Sequence, residues 1–122
     1  MTAYTKTQLI RDALLTMKVV AADENPAAHD HAYLSEMYDK KWAEWSDRDL
    51  VYWANTNDTT EEIPAAIYII LRNLLVNDTA SAFGKGSSNV AEIVAMEEHL
   101  LKGLRRHKQR VASGFPTRVD TF

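Results

Sequence analysis

Ile63-Pro64-Ala65-Ala66-Ile67-Tyr68-Ile69-Ile70-Leu71-Arg72-Asn73-Leu74-Leu75-Val76-Asn77-Asp78 is the stretch on which the fold turns. Ile67, Ile70, Leu71, Leu74 and Leu75 recur at the spacing of one helix face. From Ile67 to Leu71 the run is apolar nearly all round, which predicts the most buried helix of the chain. Ile63-Pro64 opens it, and it is expected to reach about Phe83. Downstream, Gly84-Lys85-Gly86-Ser87-Ser88 breaks the pattern. Asn89-Val90-Ala91-Glu92 then has the form of a helix start, with a capping side chain and an acid in the first turn. Val90, Ile93, Val94, Glu97, Leu100, Leu101, Leu104 and Val111 trace a stripe along a last helix of roughly 23 residues, about 35 Å at 1.5 Å per residue. Gly114 and Pro116 stop it.

Upstream, Thr5-Lys6-Thr7-Gln8 reads as a capping box. Leu9, Ile10, Ala13, Leu14 and Met17 follow at helical spacing, predicting a first helix over about Lys6 to Met17. Val19 to Glu24 is a connector. Asn25-Pro26 is expected to restart the helix, with Asn25 as cap and Pro26 in the first turn. That second helix should run to about Trp45 with Leu34, Met37, Tyr38, the Lys41 stem and Trp45 inward and Trp42 beside them. Residues 46–62 are the least regular part and carry Tyr52 and Trp53. They are expected to form a turn with a loop, or an extended arm, and a loop of that length is often functional. The expectation is one all-α domain over 1–112, a small bundle of about four helices with a long last helix, and an extended C-terminal tail over 113–122.

The chain of 122 residues has the size of one domain. It has no Cys, which excludes disulfides, thiolate metal sites and a Cys nucleophile. The opening residues lack an apolar signal core, and no apolar run approaches the roughly 18 residues needed to span a bilayer. A soluble protein made in a cytoplasm, with no membrane partner, is therefore expected. The net charge of −3 hides an asymmetry. Residues 1–98 sum to −8, whereas residues 99–122 sum to +5. A basic end on an acidic body marks an interaction surface or a solvated segment.

The residues offer little to a catalyst. His29-Asp30-His31 is the nearest approach to a metal motif, but its two His point to different sides of a helix. Glu61-Glu62 and Glu97-Glu98 are neighbours on one chain segment and do not face each other across a cleft, as a glycosidase requires; both read as solvated. Gly84-Lys85-Gly86-Ser87-Ser88 lacks the first Gly of a phosphate loop and follows a helix rather than a strand. No Ser sits in a nucleophile elbow. Neither a catalytic set, a cofactor site nor a metal site is expected. Trp42, Trp45, Tyr52 and Trp53 crowd one window, as core or, for Tyr52 and Trp53, as anchors of a subunit interface.

Four stretches give the chain a family likeness. Thr5-Lys6-Thr7-Gln8-Leu9-Ile10-Arg11-Asp12-Ala13-Leu14 opens it. Val19-Val20-Ala21-Ala22-Asp23-Glu24-Asn25-Pro26 leads into a helix ending Lys41-Trp42-Ala43-Glu44-Trp45. Ile63-Pro64-Ala65-Ala66-Ile67 precedes Leu71-Arg72-Asn73-Leu74. The long last helix ends in Ser113-Gly114-Phe115-Pro116-Thr117-Arg118. Over about its whole length the chain resembles the head-completion or head-to-tail adaptor family of tailed bacteriophages, including the tail accessory factors of short-tailed phages. The resemblance implies a structural virion protein in the neck between head and tail. It would dock on the portal protein as a ring of twelve neighbouring copies, extend the DNA channel, help retain packaged DNA and attach the tail or nozzle protein. Packaged double-stranded DNA would pass without sequence-specific contact. The portal-reaching role carries over onto Lys102, Arg105, Arg106, Lys108, Arg110, Phe115, Pro116, Arg118 and Phe122. Two other classes stay open on the residues alone. One is a small helical DNA-binding regulator using the basic helix, although no short turn joins two compact helices. The other is an enzyme, such as a cell-wall hydrolase with carboxylates converging from separate helices.

Overall fold

The computed structural model describes residues 3–86 and 89–112. Its elements are β1 (Ala3–Tyr4), α1 (Lys6–Thr16), α2 (Ala28–Asp47), β2 (Ile63–Pro64), α3 (Ala65–Thr79), a 3-10 turn (Ala80–Phe83) and α4 (Val90–Ala112). The all-α class is as expected. β1 and β2 add one antiparallel pairing, Tyr4 opposite Ile63 and Ala3 opposite Pro64.

α1 begins where the sequence places it. The Thr5 hydroxyl accepts from the Gln8 amide at 3.1 Å while the Gln8 side chain accepts from the Thr5 amide at 2.8 Å. α2 starts two residues later than expected. Its cap is Ala27, which makes no side-chain cap bond, so Asn25 and Pro26 lie in the connector. Arg11 from α1 ties that connector down through the carbonyls of Ala22 and Glu24. The helix ends at Asp47 with Arg48 as its cap, and the chain then turns through Asp49, a left-handed residue at φ 60°. There the Leu50 amide returns to the Trp45 carbonyl at 2.8 Å, and Leu50 turns into the core. Asp tolerates this conformation because its short polar side chain can bond locally.

α3 is the axis of the molecule. It buries Ile67, Leu71, Leu74 and Leu75 against Leu9, Ile10, Ala13 and Leu14 of α1, Leu34, Tyr38 and Trp45 of α2, and Leu101 and Leu104 of α4. Residues 48–62 lie on the body; they do not extend away as an arm. Trp53 is buried and donates from its indole to the Tyr38 hydroxyl at 3.0 Å. The polar run is pinned by Thr7, whose amide and hydroxyl both donate to the Asp58 carbonyl. Asn57 Oδ1 accepts from the amides of Thr59 and Thr60, which curls the loop.

α4 runs antiparallel to α3. Near one end the Asn77 side chain donates to the Ile93 carbonyl at 2.9 Å. Near the other, a Cβ placed on Gly103 would stand 3.2 Å from Ile70 Cδ1. A larger residue at 103 would require the Ile70 methyl to give by a few tenths of an ångström. The expected inward stripe of α4 holds only in its middle. Leu101 and Leu104 are fully buried, but Val90, Val94 and Val111 are 71%, 55% and 51% exposed. Val90 and Val111 lie at the ends of α4, whose 23 residues outrun the 15 of α3; Val94 is level with α3, next to Ile93, but on the exposed side of the helix.

Candidate functional site

The basic end of α4 is the first element of the site. Lys102, Arg105 and Arg106 are exposed, and none pairs with a carboxylate among the described residues. Lys108 is held by Asp49, Nζ to Oδ1 2.9 Å. Arg110 is exposed in the last turn. These cations form two rows, not one patch. Lys102, Arg106 and Arg110 follow one another at i, i+4 spacing, with Arg105 and Lys108 to one side. Arg105 and Lys108 flank a cleft of about 350 Å³ with Arg48, Asp49 and Leu50. Lys102 and Arg106 flank another of about 270 Å³ with Ile70 and Gly103.

Beside that second cleft, and sharing His99 with it, lies a groove of about 570 Å³ between α3 and α4. Its walls are Val76 and Ala80 on one side and Ile93 and Met96 on the other. Asn73 and Leu100 join its middle. Met96 is 49% exposed. The turn that closes the far end needs Gly86: it sits at φ 76°, with an added Cβ only 3.0 Å from the Ala80 Cβ.

Behind the groove lies a charged cluster contributed by three helices. Lys41 Nζ of α2 stands 3.3 Å from Asp78 of α3, 3.0 Å from Glu97 of α4 and 3.2 Å from Glu44. Asp78 and Glu97 are largely withdrawn from solvent. Burial, and the hydrogen bond and charge of Glu97, push the Asp78 carboxyl up to about 7 against the pull of Lys41. Burial opposes the charge on Glu97 too, but its bonds to Asp78 and Lys41 outweigh it and hold its pKa below the ordinary carboxylate value. For Lys41, burial is likewise outweighed by the carboxylates, which hold it above the ordinary lysine value. Asp78 is therefore the acid of the pair that carries a proton below neutrality, and it gives that proton up around pH 7. The expectation that Glu97-Glu98 is a solvated pair is corrected: Glu97 turns inward, while Glu98 faces Arg48 across 3.9 Å.

A second cluster joins the loop to the helices. Lys6 Nζ lies 2.7 Å from Asp39 and 3.0 Å from Asp58, and His31 Nε2 is 3.3 Å from Asp58. Desolvation of Asp58 is outweighed by Lys6 and His31, which lower its pKa. His31 is thus held against the Asp58 carboxylate, and His29 faces Asp30. Among the described residues no group of three or more His, Asp or Glu is placed to hold a metal ion, and no helix is long and apolar enough to cross a membrane.

Of the aromatic interface candidates, Trp53 is 7% exposed and belongs to the core. Tyr52 is half-buried and packs edge-on against it, with centroids 5.5 Å apart. Phe115, Pro116, Arg118 and Phe122 lie outside the described residues. The groove residues Val76, Ala80, Ile93 and Met96 were not among the sequence candidates; the surplus of apolar residues on α4 is the signal that points to them. No family model, curated protein or solved structure matches the chain.

Proposed function

We propose that this chain is a structural virion protein, a head-to-tail connector adaptor that docks on the portal as a ring. In that role it extends the DNA channel, retains packaged DNA and presents a surface for the tail. The observation that carries the reading is the form of α4. It is a single 23-residue helix seated on the bundle by Leu101, Leu104 and Glu97, with Asn77 bonded to the Ile93 carbonyl near its start and Asp49 to Lys108 near its end. Its ends are exposed, and Lys102, Arg105 and Arg106 are free of carboxylate partners among the described residues. A helix held this way offers a rigid lever with a cationic end, which suits docking on an acidic partner surface. The resemblance over the whole chain supplies the kind of partner.

Residues 113–122 are the proposed portal contact, with the α4 cations steering approach. The test is deletion of 113–122, assayed for binding to purified portal rings. The helical signal and melting midpoint should stay nearly as in the full chain while portal binding is lost. Normal assembly of the truncated chain on portals would refute the docking role. A salt-sensitive retardation of duplex DNA by the full chain would instead favour a DNA-binding regulator.

A further inference from the structure

The cleft of about 350 Å³ between the end of α2 and α4 gathers cations from two separate elements around one space. Arg48 comes from the cap of α2, Arg105 and Lys108 come from α4, and Asp49, Gln109 and the buried Leu50 complete the lining. Only part of this charge is answered within the chain. Lys108 pairs with Asp49 at 2.9 Å. Among the described residues Arg48 reaches only Glu98, at 3.9 Å, too long for a hydrogen bond, and Arg105 has no carboxylate partner. The C-terminal dipole of α2 is worth about half an elementary charge, less than the two guanidinium groups left over. The neighbouring cleft at Ile70 and Gly103 differs, because its cations, Lys102 and Arg106, both come from α4.

The cleft itself displays the chemistry it accepts. Asp49 Oδ1 rests on Lys108 Nζ although the Asp49 side chain is 90% exposed. The side chains of Lys108 and Arg48 are only 23% and 35% exposed, so both lie along the body instead of reaching into water. Groups held this way lose little freedom when an anion arrives. We propose that this cleft is the seat for acidic side chains of a partner protein. One carboxylate is taken by the guanidinium groups of Arg48 and Arg105, whose planar forks match its two oxygens. A second displaces Asp49 from Lys108, and the Gln109 amide adds a neutral donor. Asp49 is the internal competitor, holding Lys108 until the partner's acid replaces it. The inference rests on the reading of α4 as a docking helix and names the partner segment by class, an acidic peptide. It adds Arg48, from α2, to the docking residues.

The test is titration of the isotope-labelled full chain with an oligoglutamate peptide at low ionic strength, followed by amide NMR. Saturable shifts are expected at Asp49, Leu50, Arg105 and Gln109, with Val76 and Ala80 unmoved. Asp49→Asn keeps a residue that tolerates the left-handed turn and should tighten binding about two- to fivefold, the worth of one exposed ion pair. Arg48→Gln with Arg105→Gln should weaken it about tenfold or more, as loss of charge-assisted hydrogen bonds requires. Lys102→Gln with Arg106→Gln removes the same charge and should weaken it by no more than about twofold, as screened surface charges do. Unmoved signals of Leu9 and Leu14 in each variant show that the fold is kept. Equal weakening by the two double variants would reduce the binding to diffuse charge and overturn the inference. So would an Asp49→Asn chain that binds no tighter. Shifts of the cleft residues with pyrophosphate or a short DNA duplex, but not with the peptide, would make it a phosphate site and overturn it as well. The titration contains no portal, so its failure leaves the adaptor reading to be judged on portal binding.

Discussion

Asp78→Asn isolates the proton held between α3 and α4. In the folded chain the Asp78 carboxyl is raised to about 7, chiefly by burial and by Glu97; in the unfolded chain it returns to the model-peptide value of about 3.9. A raised carboxyl stabilises the native state through its protonated form. That contribution is complete below the unfolded value and is lost as pH climbs through about 7. Each unit of difference corresponds to about 1.4 kcal/mol. Between pH 5 and pH 8 the loss is then about 1–3 kcal/mol, the lower figure allowing for relaxation of the site around Lys41. The lowered carboxylates, Glu97, Asp58 and Glu62, act in the opposite sense, but below about pH 5, where they begin to take up protons. Asn has nearly the shape of Asp, stays neutral throughout, and its amide can donate to Glu97 as the protonated acid does. Urea unfolding followed by circular dichroism at pH 5, 6, 7 and 8 reads the effect as a shift in midpoint at constant slope. The wild-type midpoint should fall across this range, and that of Asp78→Asn should stay level and exceed wild type at pH 8. A wild-type midpoint that rises from pH 5 to 8, or a variant that keeps the wild-type fall, would refute the shared-proton assignment.

The core makes a plainer prediction. Leu71→Ala or Leu74→Ala, both fully buried in α3, should cost about 2–5 kcal/mol through the cavity left behind. Ile69→Ala, at a position 52% exposed, should cost less than about 1 kcal/mol; equal midpoints for all three in thermal melts would mean that α3 is not the axis of the core. Thr5→Ala removes one half of the α1 capping box and should lower stability by about 0.5–2 kcal/mol, read by urea unfolding. Arg105→Glu with Arg106→Glu should slow association with portal more than it speeds dissociation, measured by surface-immobilised portal at two salt concentrations.

Some of this was legible in the amino-acid order. The Thr5–Gln8 and Asn89–Glu92 patterns placed the starts of α1 and α4 because a cap is satisfied within three residues of itself; Asn89 Oδ1 does accept from the Ala91 amide at 2.9 Å. The apolar run at Ile67 to Leu75 placed the central helix for a similar reason, since its periodicity is local. What escaped depended on partners far along the chain. Glu97 and Glu98 look alike in sequence, and only Lys41, 56 residues away, draws one inward. Trp53 looked as available as Tyr52 until Tyr38 offered its hydroxyl as acceptor. The stripe on α4 promised burial for Val90 and Val111, but periodicity carries no information on how long the opposing helix is.

Mass measurement of the purified chain, alone and with portal rings, tests the adaptor reading most directly. The chain alone should be a monomer at micromolar concentration. With portal it should add a fixed number of copies matching the portal's own symmetry, seen as one discrete heavier species and, in electron micrographs, as a ring beneath the portal. A portal mass unchanged by excess chain, or a closed ring formed by the chain without portal, would contradict the account.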